Sequence, residues 1–100
     1  MTLELYGKTY NSGKLTAAIT REALNLTIET LELADQAKPK QGKDRDFAEA
    51  SKLMQRMQEL LDRKTALICR AFDGQFTADE LLEWASAAEI NDVISQLVQS

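Results

Sequence analysis

Few side chains in this 100-residue sequence have the types or spacing that chemistry requires. There is no histidine, so the commonest general base and metal ligand is missing. Cys69 is the single cysteine and lies in the apolar run Ala66-Leu67-Ile68-Cys69. A nucleophilic thiol wants a base beside it, and a cysteine in such a run reads as a small core residue that forms no intramolecular disulfide. Metal ligation would fall to carboxylates alone. Asp44 and Asp46 lack the loop length and glycine placement of an EF-hand. Asp79, Glu80 and Glu83 are explained by the negative charge that a helix start favours. Lys38, Lys40 and Lys43 surround Pro39 and Gly42 without the glycine-rich cradle that leads into a P-loop lysine. The expectation is a non-enzymatic protein with no catalytic, cofactor-binding or metal site. Trp84 is the remaining site marker, either an interface anchor or a core residue.

The elements that would position these residues are organised around Phe72-Asp73-Gly74-Gln75-Phe76-Thr77-Ala78-Asp79-Glu80-Leu81-Leu82-Glu83-Trp84. Thr77 is an N-cap with Glu80 three residues on, the spacing of a capping box, and Phe76 and Leu81 occupy the two places of a hydrophobic staple. Gly74 supplies the backbone freedom for a reversal after Phe72. The stretch predicts a helix–turn–helix corner with Phe72, Phe76 and Trp84 near it.

Leu3-Glu4-Leu5-Tyr6 alternates as a half-buried strand does. Gly7-Lys8 turns it and Thr9-Tyr10 returns, giving a small hairpin that must pack on helices to persist. Asn11-Ser12-Gly13 is a turn cluster, and Thr16 is the N-cap of a helix running to about Gln36. Ile19, Ala23, Leu26 and Leu33 share one face of that helix, and Leu24, Ile28 and Leu31 form a second apolar stripe. The linker around Pro39 follows. A long helix then runs from about Arg45 to Phe72, with Phe47, Ala50, Met54, Met57, Leu61, Ile68 and Ala71 at three- and four-residue steps and Leu53, Leu60 and Leu67 widening the stripe. Its near-heptad spacing predicts antiparallel packing on the first helix or on a partner helix. Met54 and Met57 read as core gap-fillers or as an adaptable binding surface. Lys52, Arg56, Glu59, Asp62, Arg63 and Lys64 are assigned to the outer face, with Glu59–Arg63 a favourable pair. Ser86 and Glu89 repeat the capping-box spacing before a last amphipathic helix carrying Ile90, Val93, Ile94, Leu97 and Val98.

The fold class is therefore mainly α, a small N-terminal β-hairpin packed on about four helices, two long and two short and C-terminal. It forms a single domain: hairpin 1–15, helix 16–36, loop 37–45, long helix 46–72, two short helices 77–98. The sequence contains no bilayer-length apolar run and no signal peptide pattern at Met1-Thr2-Leu3, so a cytoplasmic protein is expected. The net charge of −4 is uneven: residues 1–70 carry 12 basic and 10 acidic side chains, while Asp73, Asp79, Glu80, Glu83, Glu89 and Asp92 follow without a base. An acidic block repels nucleic acid. It steers a basic partner or keeps apolar surface soluble.

The order of these features resembles the tail assembly chaperones of long-tailed bacteriophages, of the siphovirus type that infects Gram-positive hosts. Gly7, Lys8 and Tyr10 match an N-terminal segment of that family. Phe72, Gln75, Phe76, Thr77, Glu80 and Leu81 match its late block. The resemblance implies a non-enzymatic chaperone that binds the tape-measure protein during virion assembly in the host cytoplasm. It allows the major tail protein as a second client, implies absence from the finished virion, and brings in a longer form made by ribosomal frameshifting in many members. A chaperone for helices needs an apolar groove with a charged rim. Leu24, Ile28, Leu31, Phe76, Trp84, Ile94 and Leu97 are the candidate partner-binding residues, each of which periodicity alone also allows in the core. The second stripe also admits a homo-oligomer. Two other classes stay open: a small helical phage or plasmid regulator with a helix-turn-helix around Gly74, opposed by three acids and no base in its would-be recognition helix, and a structural oligomer subunit without a client.

Overall fold

In the computed structural model, which describes residues 1–37 and 47–99, the chain begins as an antiparallel hairpin of β1 (Thr2–Leu5) and β2 (Lys8–Asn11). The linker residues Lys38, Lys40 and Lys43, the pair Asp44 and Asp46, and Arg45 lie outside the described residues. The hairpin closes at Leu5↔Lys8, so its two-residue turn is Tyr6-Gly7, one position earlier than the expected Gly7-Lys8. The reason is the type I′ turn, which matches strand twist but requires positive φ at both central residues. Tyr6 and Gly7 supply it, at φ 50° and 77°.

Four helices follow among the described residues: α1 (Ala17–Gln36), α2 (Phe47–Ala71), α3 (Ala78–Trp84) and α4 (Ala87–Gln99). Thr16 caps α1, its hydroxyl accepting from the Ile19 amide at 3.4 Å. Ile19, Ala23, Leu26 and Leu33 form the buried face of α1, as the spacing predicts. Thr27 and Thr30, weak helix formers, donate their hydroxyl protons to the carbonyls of Ala23 and Leu26 at 2.9 and 2.7 Å, which satisfies them within the helix.

Helices α1 and α2 run antiparallel. The amide of Gly13, just before α1, donates to the carbonyl of Ala71 at the end of α2 at 3.1 Å. Midway, the Arg63 guanidinium bridges Glu29 at 2.7 Å and Glu22 at 3.3 Å on α1. The cross-helix carboxylates thus take the cation that the spacing assigned to Glu59.

Helix α2 ends in a Schellman motif. The Gly74 amide donates to the Cys69 carbonyl at 2.9 Å and the Asp73 amide to the Arg70 carbonyl at 3.2 Å. Asp73, with φ 54°, occupies the left-handed position that glycine usually takes, and Gly74 adds a second at 69°. The expected capping box opens α3: Glu80 N–H to Thr77 Oγ1 and Thr77 N–H to Glu80 Oε1, both at 3.1 Å. Phe76 and Leu81 of the staple are both buried. Ser86 and Glu89 make the second box, at 3.1 and 3.2 Å, at the start of α4. The core joins Leu5 of the hairpin to Leu26, Ile68, Phe72, Leu81, Ile90 and Leu97.

Candidate partner-binding surface

The buried stripe of α2 is confined to its second half, from Leu60 to Ala71. Phe47 is 87% exposed, and Met54 and Met57 are also exposed rather than core. Length explains this. At 1.5 Å per residue, α2 is about 37 Å long and α4 only about 20 Å. Helix α4 starts beside the middle of α2, with Ala87 near Leu61 and Asn91 bonded to Lys64, and covers the end nearer Ala71. The first half of α2 and the last turns of α1 extend past it as a two-helix arm.

At the step where α4 begins, the three helices leave a cleft of about 480 Å³. Leu33 and Ala34 of α1 and its C-cap Ala37 form one wall, Met54, Met57, Leu60 and Leu61 of α2 the other, and Ala87 of α4 closes one end. A second recess of about 220 Å³ lies between α1 and α4, lined by Thr27, Leu31, Ile94 and Ser95. Thr30, Lys64 and Asn91 line both, so the two form one groove with a polar waist.

Lys64 corrects its assignment to the outer face: it is 6% exposed. Its Nζ donates to Asn91 Oδ1 at 2.8 Å. Burial pushes its ammonium below the ordinary lysine range. Burial would also lower the Arg63 guanidinium, but its hydrogen bond to Glu22 and the charge and hydrogen-bond acceptance of Glu29 outweigh it and hold Arg63 above its ordinary value. Arg63 is thus a tie between α1 and α2, whereas Lys64 is a cation with a neutral acceptor.

The seven candidate residues do not form one surface. Leu24, Ile28 and Leu31 are exposed along α1, and Leu31, 66% exposed, meets Ile94 in the smaller recess. Phe76 and Leu97 are in the core, and Ile94 is buried beneath that recess. Trp84 is half-buried and stacks on Tyr6, away from the groove. Of the residues that line the groove, Met54 and Met57 match the binding-surface alternative of the sequence reading rather than the core one, whereas Lys64 reads there only as a surface charge.

Cys69 is half-buried, and burial, then the charge of Glu80, pushes its thiol above the ordinary range, which leaves less of the nucleophilic thiolate. Among the described residues, no group of three or more His, Cys, Asp or Glu side chains is placed to hold a metal. No described helix is long and apolar enough to cross a membrane. The acids of α3 stand without a base among Ala78–Trp84, so this helix offers no phosphate contact.

A family model described as phage tail chaperone protein matches residues 1–100. No curated protein and no solved structure is significantly similar to the chain.

Proposed function

We propose, for a chain that belongs to the phage tail chaperone family, that it binds the tape-measure protein and keeps that long helical client soluble until the tail tube is built around it. The observation that supports this reading is the groove between α1, α2 and α4. Its larger cleft is walled mainly by apolar side chains, among them the exposed Met54 and Met57, and its smaller recess adds the exposed Leu31. A monomeric soluble protein seldom leaves such a continuous apolar surface open unless something docks there. Helix-in-groove recognition uses anchors at three- and four-residue steps, and methionine adapts to varied partners. Leu24 and Ile28 extend the surface along α1. Phe76, Trp84 and Leu97 serve by holding the corner and α4 in place. The acidic side chains from Asp73 onward keep the complex soluble in the host cytoplasm. The major tail protein is a second client of the same surface, and the chaperone leaves before the virion is complete.

Co-expression with the tape-measure protein tests the reading. The client is expected in the soluble fraction and on the same affinity column only when this chain is present. A client that is equally soluble alone, or that never co-purifies, contradicts it.

A further inference from the structure

Lys64 is the one buried Lys or Arg among the described residues. An ammonium has three donors, and Asn91 Oδ1, a neutral acceptor, takes one of them. Among the described residues, no carboxylate oxygen lies within 4.0 Å of its Nζ; the ion pairs there belong to Arg63. A buried cation without an opposite charge is a cost to the free fold. A methionine or leucine would fill this position on α2 at no such cost, so packing does not explain the lysine.

The surroundings do. Lys64 and Asn91 line both the larger cleft, whose walls are otherwise apolar except for Thr30 and Gln58, and the smaller recess, where Leu31 and Ile94 face Thr27, Thr30 and Ser95. A volume of about 480 Å³ seats side chains, not a helix, so a helix lying across the mouth would insert only its apolar face. Ala87, in the first turn of α4, lines the same cleft, so the positive end of that helix dipole is close to it. The carboxylate of Glu89 in that turn is already bound to the Ser86 amide.

We propose that the groove selects a client helix whose apolar face carries one carboxylate, and that this carboxylate completes Lys64. The inference rests on the chaperone reading and adds to it what the client must contain. The apolar walls give affinity for any amphipathic helix. Lys64 gives register, because the carboxylate can reach the ammonium in one placement only. A purely apolar helix leaves the cation buried and unpaired, which is the form of discrimination that a desolvated charge provides.

The test uses two synthetic peptides, leucine–alanine amphipathic helices of about five turns with lysines on the polar face. One has a glutamate at the centre of its apolar face, and the other has glutamine there. Binding of each to the full chain and to Lys64→Met is measured by calorimetry. The full chain is expected to prefer the glutamate peptide by about tenfold or more. The Lys64→Met chain is expected to lose that preference while binding the glutamine peptide at least as well. The preference is expected to survive raised salt, because a buried pair is weakly screened. Equal binding of both peptides to the full chain overturns the carboxylate rule, and so does a preference that persists in Lys64→Met. Binding of neither peptide also overturns it, whereas the chaperone reading is decided separately by co-purification of the tape-measure protein. Sedimentation of the full chain as a dimer that Met57→Asp splits would make a second copy the occupant, and would overturn it too.

Discussion

The rings of Tyr6 and Trp84 stack with centroids 5.9 Å apart and planes 21° from parallel, joining the hairpin turn to the last residue of α3. Tyr6 is 81% exposed, so the stack stands at the surface, and it is the turn conformation that delivers the ring there. Tyr6→Ala should lower stability by only about 0.5 kcal/mol, the low end for an aromatic pair. It should shift Trp84 emission to longer wavelength in the native state, since the indole gains water on one face. Unchanged emission would show that the stack is not maintained in solution.

The capping box of α3 gives a second prediction. Thr77→Ala and Glu80→Ala should each cost about 1 kcal/mol in denaturant melts. Each removes one of two reciprocal bonds, so the double variant should cost less than the sum. Full additivity would mean that the two bonds form independently.

Asp73 and Gly74 should respond in opposite directions. Asp73 carries a side chain at a positive φ and Gly74 does not. Asp73→Gly is expected to stabilise the chain, and Gly74→Ala to destabilise it, each by about 0.5–1 kcal/mol in the same melts. The Schellman bonds are backbone bonds and are kept in both variants.

Lys64 predicts a pH dependence. Its folded-state pKa is lowered from the ordinary 10.5 by burial, so between the two values the unfolded chain binds the proton more tightly than the folded one. Stability therefore rises with pH as it climbs through the lowered value toward 10.5. Lys64→Met should be more stable than the parent at neutral pH, by about 1 kcal/mol or more. The difference should shrink as pH approaches the lysine range. Parallel stability curves for the two chains would mean that Lys64 is solvated. A variant that gains stability and loses selection among helices would show a residue kept for binding rather than folding.

These residues also show which parts of the molecule can be read from the chain. Thr77, Glu80, Phe76 and Leu81 act within a few residues of one another, so their spacing suffices. Ser86 and Glu89 are readable for the same reason. The buried face of α1 follows from periodicity, because Ile19, Ala23, Leu26 and Leu33 share it and the one polar residue between them, Thr30, bonds its hydroxyl to the Leu26 carbonyl. Periodicity fails where burial depends on a distant element. Met54 and Ile68 lie on one apolar stripe, yet only Ile68 is covered, because α4 is too short to reach the other end. Charge alone places Lys64 in solvent, yet it is buried, with its Nζ bonded to Asn91 of α4, a residue 27 positions on. The candidate surface has the same origin. Leu31 and Ile94 belong to one recess, but no local signal says that Phe76 and Leu97 lie inside the core while Met57 lies outside it.

The most direct measurement is the affinity of the tape-measure protein for the parent chain, for Met57→Asp and for Leu31→Asp, with thermal melts of all three alongside. Both positions are exposed, so the variants should melt with the parent. If the groove is the client site, each should bind at least tenfold more weakly, a loss of about 1.4 kcal/mol. Variants that fold normally and bind as tightly as the parent would place the client elsewhere and contradict the account.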